Sequence, residues 1–434
     1  MNPLAQELNE TIQRCNPHIF EMLSDLGKRM FFPKGILAQS AEAKKHAHKF
    51  NATIGTATEK GQPMYLPCVH AHFNGLSPSE IYPYSTFGKP ELKLKWREKM
   101  LAENPRLMTK DFGNPIVTSA VSHGLGLVGD LFLDPGDVIV IPDKMWGNYR
   151  LTYAVRFGAD LRNFPFYEGE GFNVKGFGEF IGKVGKEKGK LVILLNFPSN
   201  PTGYQPTVAD AEGITEAILK TAEAGCNIVI ACDDAYFGLV YEEGRLNESL
   251  FGYVVNLHKR VLAIKLDGAT KEEFVWGFRT GFLTYGPGDE RNDPALFEAL
   301  EKKTMGAIRS YVSNSPHPSQ SIVYKALLSP TFAAEKRGKY EILKARVEKI
   351  KEVLKNPKYL DAFTAYPFNS GYFMCLQLKT VDAEALRQHL LHKYGLGVIS
   401  IGKEDVRIAF SCLEVEQMQE VFDTIYRGVK ELEK

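Results

Sequence analysis

The sequence lacks long hydrophobic runs, and none reaches the roughly 18 apolar residues that a membrane-spanning helix requires. Its opening segment, Met1 to Asn16, is polar and has no apolar centre of the kind found in signal peptides. An excess of charge is also missing, since 53 lysines and arginines balance 52 aspartates and glutamates to a net charge of +1. We therefore expect neither a membrane-surface binder nor a general nucleic-acid binder.

Cysteine is scarce and dispersed, and the six residues include no Cys-x-x-Cys pair. They are Cys15, Cys68, Cys226, Cys232, Cys375 and Cys412. Scattered single cysteines are typical of reduced, mostly buried thiols, so we expect a cytoplasmic protein. The ten histidines are not accompanied by a cluster of carboxylates or thiolates, and we expect no metal site.

A chain of 434 residues is longer than one ordinary core accommodates, so two domains are expected. Between residues 91 and 285, short apolar runs alternate with amphipathic stretches, which is the pattern of βαβ units. Strands are predicted at 137–141, 160–164, 191–195, 227–232, 261–264 and 281–285, and helices at 91–103, 120–133, 149–157, 177–184 and 209–224. The strands are continuously apolar, which indicates a mostly parallel sheet buried on both faces. Beyond Pro330, a charged helix at 333–354 and shorter strands indicate a smaller α+β domain.

The chain is organised around the stretch from Asp267 to Phe282. Lys271 follows the predicted strand 261–264 in a polar loop, at the edge where ligands bind to open α/β sheets. Arg279 opens the next strand. A lysine amine can condense with an aldehyde, and a nearby guanidinium can bind phosphate oxygens bidentately. Taken alone, the pair is more often a solvated loop lysine and a strand-end arginine.

Two further polar residues follow predicted strands. Asp233 ends a buried strand three positions before Tyr236, and a carboxylate there needs a cation or a donor. A protonated ring nitrogen of a cofactor would satisfy it, whereas the simpler alternative is a helix N-cap. Asn200 begins the motif Asn-Pro-Thr-Gly. Its amide can face a cofactor oxygen, or the motif can be an ordinary turn.

Three more features have both a functional and a structural interpretation. The segment 118–124 precedes an apolar helix, where free backbone N–H groups either bind an anion or are simply capped. Trp146 can be a core residue or a platform on which a ring stacks. Arg407 lies within an apolar strand, where it needs an anionic partner unless it lies at the surface edge.

Taken in order, these residues resemble the class I/II aminotransferases of pyridoxal phosphate (PLP) fold type I. The resemblance runs from about residue 51 to 410 and is nearest to the aspartate and aromatic amino acid aminotransferases. Its most specific motifs are Asn200-Pro201-Thr202-Gly203, Asp233-x-Ala235-Tyr236, Thr270-Lys271, Arg279 and Arg407-Ile408-Ala409-Phe410-Ser411. It implies an α/β fold with a seven-stranded, mostly parallel sheet between helices in a large domain, 58–329. Residues 1–57 and 330–434 would form the smaller domain.

The resemblance also implies a role for each matching residue. Lys271 is similar to the lysine that forms a Schiff base with PLP, Asp233 to the partner of the pyridine nitrogen, and Tyr236 and Asn200 to the donors to the ring hydroxyl. The other cofactor positions are stacking Trp146, the phosphate-binding Val121, Ser122 and Arg279, Thr270 beside the lysine, and Tyr84, which reaches the neighbouring subunit's phosphate. The implied substrate positions are Arg407, Gly55 and Asn200 for the α-carboxylate, and Arg309 for a distal carboxylate.

Two positions depart from the family pattern. Gly268 stands three residues before the lysine, where relatives often have a phosphate-binding serine. Tyr149 stands where the aspartate aminotransferases have a histidine behind the aspartate that contacts the pyridine nitrogen. The departures concern the phosphate site and the environment of Asp233.

The resemblance implies an aminotransferase that moves an amino group between an L-amino acid and a 2-oxo acid by a ping-pong mechanism, with dicarboxylic or aromatic substrates. It also implies a homodimer with shared active sites. A PLP-dependent lyase that eliminates a β-substituent or decarboxylates is the nearest alternative, because the same residues support it. A non-catalytic PLP-binding regulator is a third interpretation. The complete lysine, aspartate and arginine set and the absence of a basic segment argue against it.

Overall fold

The computed structural model describes residues 1–33, 35–85, 87–288 and 292–434. Its centre is a seven-stranded sheet, and we number these strands in chain order. They are β1 (Ile116–Ser119), β2 (Val138–Pro142), β3 (Asp160–Phe164), β4 (Lys190–Asn196), β5 (Asn227–Asp233), β6 (Val261–Gly268) and β7 (Thr280–Pro287). Their order across the sheet is β1-β7-β6-β5-β4-β2-β3. Only β7 runs antiparallel to its neighbours, β6 and β1.

The apolar strands are buried on both faces of this sheet, as their composition predicts. In β4, Leu191, Ile193 and Leu195 pack into one hydrophobic cluster. The intervening Val192 and Leu194 pack into a second cluster. Because successive side chains of a strand point to opposite faces, the two clusters lie on opposite sides of the sheet. The mostly parallel sheet between helices is therefore confirmed.

Helices cover the sheet and build the rest of the molecule. The α-helices are Pro3–Cys15, Pro17–Met22, Asp25–Arg29, Ile36–His46, Pro67–His70, Pro78–Ile81, Pro90–Glu103, Ala120–Phe132, Val174–Lys188, Val208–Glu223, Phe251–Val254, Ala269–Glu272, Pro294–Tyr311, His317–Leu327, Phe332–Leu354, Ala383–Tyr394 and Met418–Leu432. Short 3₁₀ turns occupy Pro105–Thr109, Trp276–Phe278, Pro357–Asp361, Phe410–Cys412 and Val415–Gln417. In the parts of the chain that the structure describes, no helix is both long and apolar enough to cross a membrane.

Two local predictions were wrong, and one strand was missed. The edge strand β1 was not predicted, although it pairs with β7. The predicted α-helix at 149–157 is a π-helix, Arg150–Arg156. Lys271 lies in the short helix Ala269–Glu272 and not in a polar loop, because β6 continues to Gly268, which pairs with Gly281 of β7. These glycines permit close packing, since a Cβ at Gly268 would lie 2.7 Å from the Thr280 carbonyl oxygen.

A second, antiparallel sheet lies in the C-terminal part of the chain. Its strands are β8 (Phe363–Ala365), β9 (Met374–Leu378), β10 (Ile399–Ile401) and β11 (Asp405–Ile408), in the order β8-β9-β11-β10. Two-residue strands add the pairs Thr58–Glu59 with Gln62–Pro63 and Tyr167–Glu168 with Gly171–Phe172.

The N-terminal segment packs against this C-terminal part. Phe50–Asn51 pairs in parallel with Leu396–Gly397. The Ser400 N–H donates to Gln39 Oε1 at 2.9 Å. Such contacts tie the two ends of the chain together, and we propose that residues 1–57 and 330–434 form one small domain beside a large domain at 58–329.

Candidate active site

A cavity of about 220 Å³ lies at the carboxyl ends of β4, β5 and β6, between the large sheet and the C-terminal sheet. This is the edge at which open α/β sheets bind ligands. Most of the residues that the sequence indicates for a site surround it, although they are widely separated along the chain. They are Gly55, Val121, Ser122, Trp146, Asn200, Asp233, Tyr236, Thr270, Lys271, Arg279 and Arg407.

Lys271 reaches the cavity from the first turn after β6. The Tyr372 hydroxyl donates a 2.7 Å hydrogen bond to the Lys271 backbone carbonyl and fixes the turn. The Lys271 ammonium lies 5.2 Å from the centroid of the Tyr236 ring. Burial is the main cause that lowers the pKa of Lys271 to about 8. The negative charge of Asp233 acts in the opposite direction, and the positive charge of Arg279 acts in the same direction as burial. More of this amine is therefore neutral near pH 7 than in an ordinary lysine, which favours its use as a nucleophile or base.

A buried ion-pair network supports β5, which ends at Asp233, and β6, which leads to Lys271. The Lys265 ammonium lies 2.6 Å from Asp234 and 2.9 Å from Asp267. Trp96 Nε1 donates to Asp267 at 3.1 Å. Lys265 is thus bonded to residues at the ends of β5 and β6, and removing one member of such a buried pair is strongly destabilising. The network holds the two strand ends in a fixed relation.

Asp233 is a buried carboxylate that faces the cavity. Its Oδ2 accepts a 2.6 Å hydrogen bond from the Tyr149 hydroxyl, and its Oδ1 accepts one of 3.0 Å from the Ala235 N–H. Burial raises the pKa of Asp233, and these two hydrogen bonds and the charge of Lys271 oppose that rise. A cationic ligand group beside Asp233 would compensate the cost of burying its charge.

Arg407 brings a buried guanidinium to the opposite wall. Its Nη1 donates to Asn200 Oδ1 at 3.2 Å, and its Nη2 donates to the Thr53 carbonyl at 3.0 Å. The Phe373 ring lies beneath it, with the guanidinium carbon 4.1 Å from the ring centroid. Among the described residues, Arg407 Nε has no hydrogen-bond partner. Since buried arginines are normally paired with anions, this site fits a carboxylate.

A positively polarised end of the cavity is formed by the start of the helix Ala120–Phe132 and by Arg279. Val121 and Ser122 lie in the first turn of that helix, where backbone N–H groups have no intrahelical acceptor. The Arg279 guanidinium donates to the Trp276 carbonyl at 3.2 Å. This combination is suited to a phosphate group. A serine at position 268 is excluded by the close packing of Gly268 against Thr280.

Several residues around the cavity were not assigned a role from the sequence. Asn196, at the end of β4, accepts from the Asn200 N–H at 2.7 Å and donates to the Asp233 carbonyl at 2.8 Å. Its position directly after a predicted strand was a signal that could have found it. Ile36, Trp276 and Phe373 also line the cavity, but their approach depends on tertiary packing and no local motif marks them.

Two predicted residues lie away from this cavity. Tyr84 is 84% exposed. Arg309 is also exposed, near the end of the helix Pro294–Tyr311, and its Nη1 donates to Ser313 Oγ. Both were predicted to act in the active site of a partner subunit, and those roles stay predictions.

The residues around the cavity fit PLP. Buried polar atoms normally have hydrogen-bond partners, yet within the described part of the chain Thr270 Oγ1, Trp276 Nε1 and Arg407 Nε have none. These unpaired donors, together with Arg279, favour a ligand with anionic oxygens. Asp233 favours a protonated nitrogen in the same ligand. PLP has both a phosphate and a basic ring nitrogen.

Comparison with known proteins agrees with this chemistry. The family model of aminotransferase class I and II matches residues 58–425. The cytoplasmic aspartate aminotransferase of Caenorhabditis elegans is 23% identical over 316 residues, which cover 70% of this chain and 74% of the relative. The aspartate aminotransferase of Sulfurisphaera tokodaii is 24% identical over 367 residues, which cover 81% of this chain and 81% of the relative.

Solved aminotransferase structures share the fold. An aminotransferase from Anaerococcus prevotii superposes with a TM-score of 0.82 at 21% identity, covering 94% of this chain and 98% of that one. The kynurenine aminotransferase of Pyrococcus horikoshii, in complex with PMP, gives a TM-score of 0.79 at 16% identity over 96% of this chain and 98% of that chain. The fold is therefore PLP fold type I, and the chain belongs to the PLP-dependent class I and II aminotransferases.

Proposed function

We propose that this protein transfers the amino group of an L-amino acid to a 2-oxo acid, with the residues around the cavity in the roles described below. The observation that supports this most directly is the sharing of one cavity by three groups. These are the lysine amine with a lowered pKa, the buried carboxylate of Asp233 and the incompletely paired guanidinium of Arg407. Together they provide a nucleophile and base, a partner for a cationic nitrogen and a binding site for a carboxylate.

PLP, when bound, supplies an aldehyde that condenses with amines and a ring that accepts electrons from the substrate Cα. Lys271 would hold the cofactor through its amine and would act as the base that moves the substrate Cα proton. Asp233 would keep a proton on the ring nitrogen. Asn200 and Tyr236 would donate hydrogen bonds to the ring hydroxyl, and Trp146 would stack on the ring.

The remaining residues bind and orient. Val121, Ser122, Thr270 and Arg279 hold the phosphate. Arg407, with Asn200 and the backbone at Gly55, holds the α-carboxylate of the substrate. Fixing that carboxylate decides which Cα bond stands perpendicular to the ring, and orientation of this kind contributes several kcal/mol to catalysis.

Half-reaction spectroscopy tests the activity. Mixing the PLP-loaded protein with an amino acid should convert the cofactor to pyridoxamine phosphate, and adding 2-oxoglutarate should reverse the change. This is expected because the proposed role of Lys271 is to move the Cα proton as a base. A lyase would instead release ammonia or carbon dioxide continuously without an acceptor. The absence of any spectral response would favour a regulator and contradict the proposal.

We further propose a homodimer whose active sites are completed across the interface. Exposed aromatic side chains support it, because aromatic residues are enriched at the interfaces between subunits. Tyr82 and Phe73 are 79% and 54% exposed. Phe73 packs edge-on against Phe278, next to Arg279 at the cavity mouth, with ring centroids 5.6 Å apart.

A cytoplasmic location is supported by the six cysteines, all of which are free thiols.

The substrate side chain is proposed to carry a second carboxylate, which Arg309 of the neighbouring subunit would bind. Arg309→Ala should then lower kcat/KM for aspartate and glutamate about a hundredfold or more, because one partner of a buried charged pair contributes roughly 3–5 kcal/mol. Phenylalanine turnover should be nearly unchanged. Arg337→Ala is a matched control, since Arg337 is an exposed helix arginine that pairs with Glu341.

Complementation tests the shared site directly. Co-expressed Lys271→Ala and Arg309→Ala chains form mixed dimers in which one site has both Lys271 and the partner's arginine intact. Such mixtures should have more aspartate activity than either variant alone. Equal relative rates for aspartate and phenylalanine in Arg309→Ala, or no complementation, would reject the shared dicarboxylate site and leave the general aminotransferase.

A further inference from the structure

Tyr149 connects two of the groups that surround the cavity. Its hydroxyl donates the 2.6 Å hydrogen bond to Asp233 Oδ2. Its ring stands edge-on to Trp146, with centroids 5.5 Å apart and planes at 84°. Tyr149 is 2% exposed, so both contacts are shielded from solvent. A single side chain therefore orients the carboxylate and the aromatic ring that are proposed to contact the cofactor.

The surrounding structure fixes Tyr149 in this orientation. Its N–H donates to the Trp146 carbonyl at 3.0 Å, and it immediately precedes the π-helix Arg150–Arg156. The Tyr153 ring packs against the Tyr149 ring, with centroids 6.5 Å apart. The Tyr153 hydroxyl donates to the Leu125 carbonyl at 3.0 Å. Single π-helical turns are frequent at functional sites, where they redirect a side chain.

We propose that Tyr149 is a positioning residue, which keeps Asp233 ionised and aimed at the cofactor ring nitrogen. The inference rests on the proposed role of Asp233. Tyr149 provides the only side-chain hydrogen bond to the Asp233 carboxylate among the described residues, the other donor being the Ala235 backbone N–H. A charge-assisted hydrogen bond in a buried site selectively stabilises the ionised carboxylate.

A phenol performs this task differently from an imidazole. Burial, and then the charge of Asp233, raise the pKa of Tyr149 well above its usual value. The hydroxyl proton is therefore retained throughout the ordinary pH range, whereas a histidine would titrate near pH 6.5. The Tyr149 hydrogen bond and its charge state are thus independent of pH over the range in which Asp233 must stay ionised.

The other groups facing Asp233 do not replace this hydrogen bond. The ionisable side chains that act on it are Tyr149, Tyr153, Tyr236, Cys232, Lys265 and Lys271. The two lysines favour the ionised carboxylate. Burial raises the pKa of Tyr153, Tyr236 and Cys232, so these groups are neutral when Asp233 titrates.

Tyr149→Phe removes the hydroxyl and leaves the ring in place. We expect the acid limb of the kcat–pH profile to move upward by about one to two pH units, because the ionised form of Asp233 loses a hydrogen bond. The pH midpoint of the absorption change of bound PLP should move in the same direction, independently of turnover. Tyr149→His restores a donor and should return both midpoints toward the wild-type values.

Tyr153→Phe is the matched control, because Tyr153 lies in the π-helix that follows Tyr149 and its hydroxyl bonds a backbone carbonyl. Its midpoints should match those of the wild type. Unshifted midpoints in Tyr149→Phe, beside a large loss of rate in Asp233→Asn, would overturn the positioning role. A normal rate in Asp233→Asn would instead contradict the proposed role of Asp233, on which the inference rests. If Tyr149→Phe does not fold, Tyr149→His decides: an added transition near pH 6.5, from an imidazole that contacts Asp233, would support the inference, and the absence of that transition would overturn it.

Discussion

Lys271→Ala should lose turnover by at least about 10⁴-fold, since one residue supplies both the amine that holds the cofactor and the base that moves the Cα proton. The visible absorption of PLP bound through an imine should disappear with it. Burial lowers the pKa of this amine to about 8, so a larger fraction of it is neutral near pH 7 than of an ordinary lysine. Absorption spectra and steady-state rates of the purified variant measure both effects.

Lys220→Ala provides the control for this experiment. Lys220 is 70% exposed and pairs with Glu216 on the surface of the helix Val208–Glu223. Its removal should leave the spectrum and the rate unchanged. Borohydride reduction followed by peptide mapping identifies the lysine that carries the cofactor. A reduced adduct on any other lysine of the wild-type protein would refute the assignment of Lys271.

Asp233→Asn should lower kcat on the order of 10³-fold or more, equivalent to about 4 kcal/mol of barrier. The amide keeps the size of the side chain and can still accept from Tyr149, but it has no charge to keep a proton on the ring nitrogen. Without that proton the ring is a poorer acceptor for the electrons released at Cα. The loss should therefore fall on kcat at saturating substrate and cofactor, with little change in thermal stability.

Asp234→Asn tests whether the neighbouring carboxylate of Asp234 has a structural role, in contrast to the catalytic role of Asp233. Asp234 is equally buried, but it lies 2.6 Å from the Lys265 ammonium and accepts from Ser249 at 2.5 Å. Breaking this pair should cost roughly 3–5 kcal/mol of stability, seen as a lower Tm, while kcat below the transition stays within a few-fold of wild type. A near-normal rate in Asp233→Asn with PLP bound would move the ring-nitrogen role to Asp234 or to another residue.

The sequence was informative wherever one property determined the outcome locally. The strand Asp160–Phe164 has the predicted bounds, and β4 and β5 extend the predicted strands by one or two residues. Continuous apolar runs of this length are stable only when both faces are covered, so composition was sufficient to predict burial. The motif residues Asn200, Asp233 and Lys271 follow such runs, and their placement at one sheet edge follows from parallel strand direction.

Other features depended on contacts between distant parts of the chain. The extension of β6 to Gly268 requires its partner Gly281 in β7, and the edge strand β1 exists because β7 offers hydrogen-bond partners. Neither feature is marked by a periodic pattern of apolar residues in the local sequence. The π-helix that follows Tyr149 likewise resembles an ordinary amphipathic helix in sequence.

The sequence by itself determined the fold class, the family and the set of residues with the chemistry for an aminotransferase. Only the tertiary structure decided that Tyr149 bonds Asp233, that Lys265 is bonded to Asp234 and Asp267, and that Gly268 leaves no room for a serine side chain. The physical reason is the distance along the sequence over which each property is determined. Burial and secondary structure follow from properties of adjacent residues, whereas hydrogen-bond partners and pKa values depend on atoms that folding brings together from remote positions.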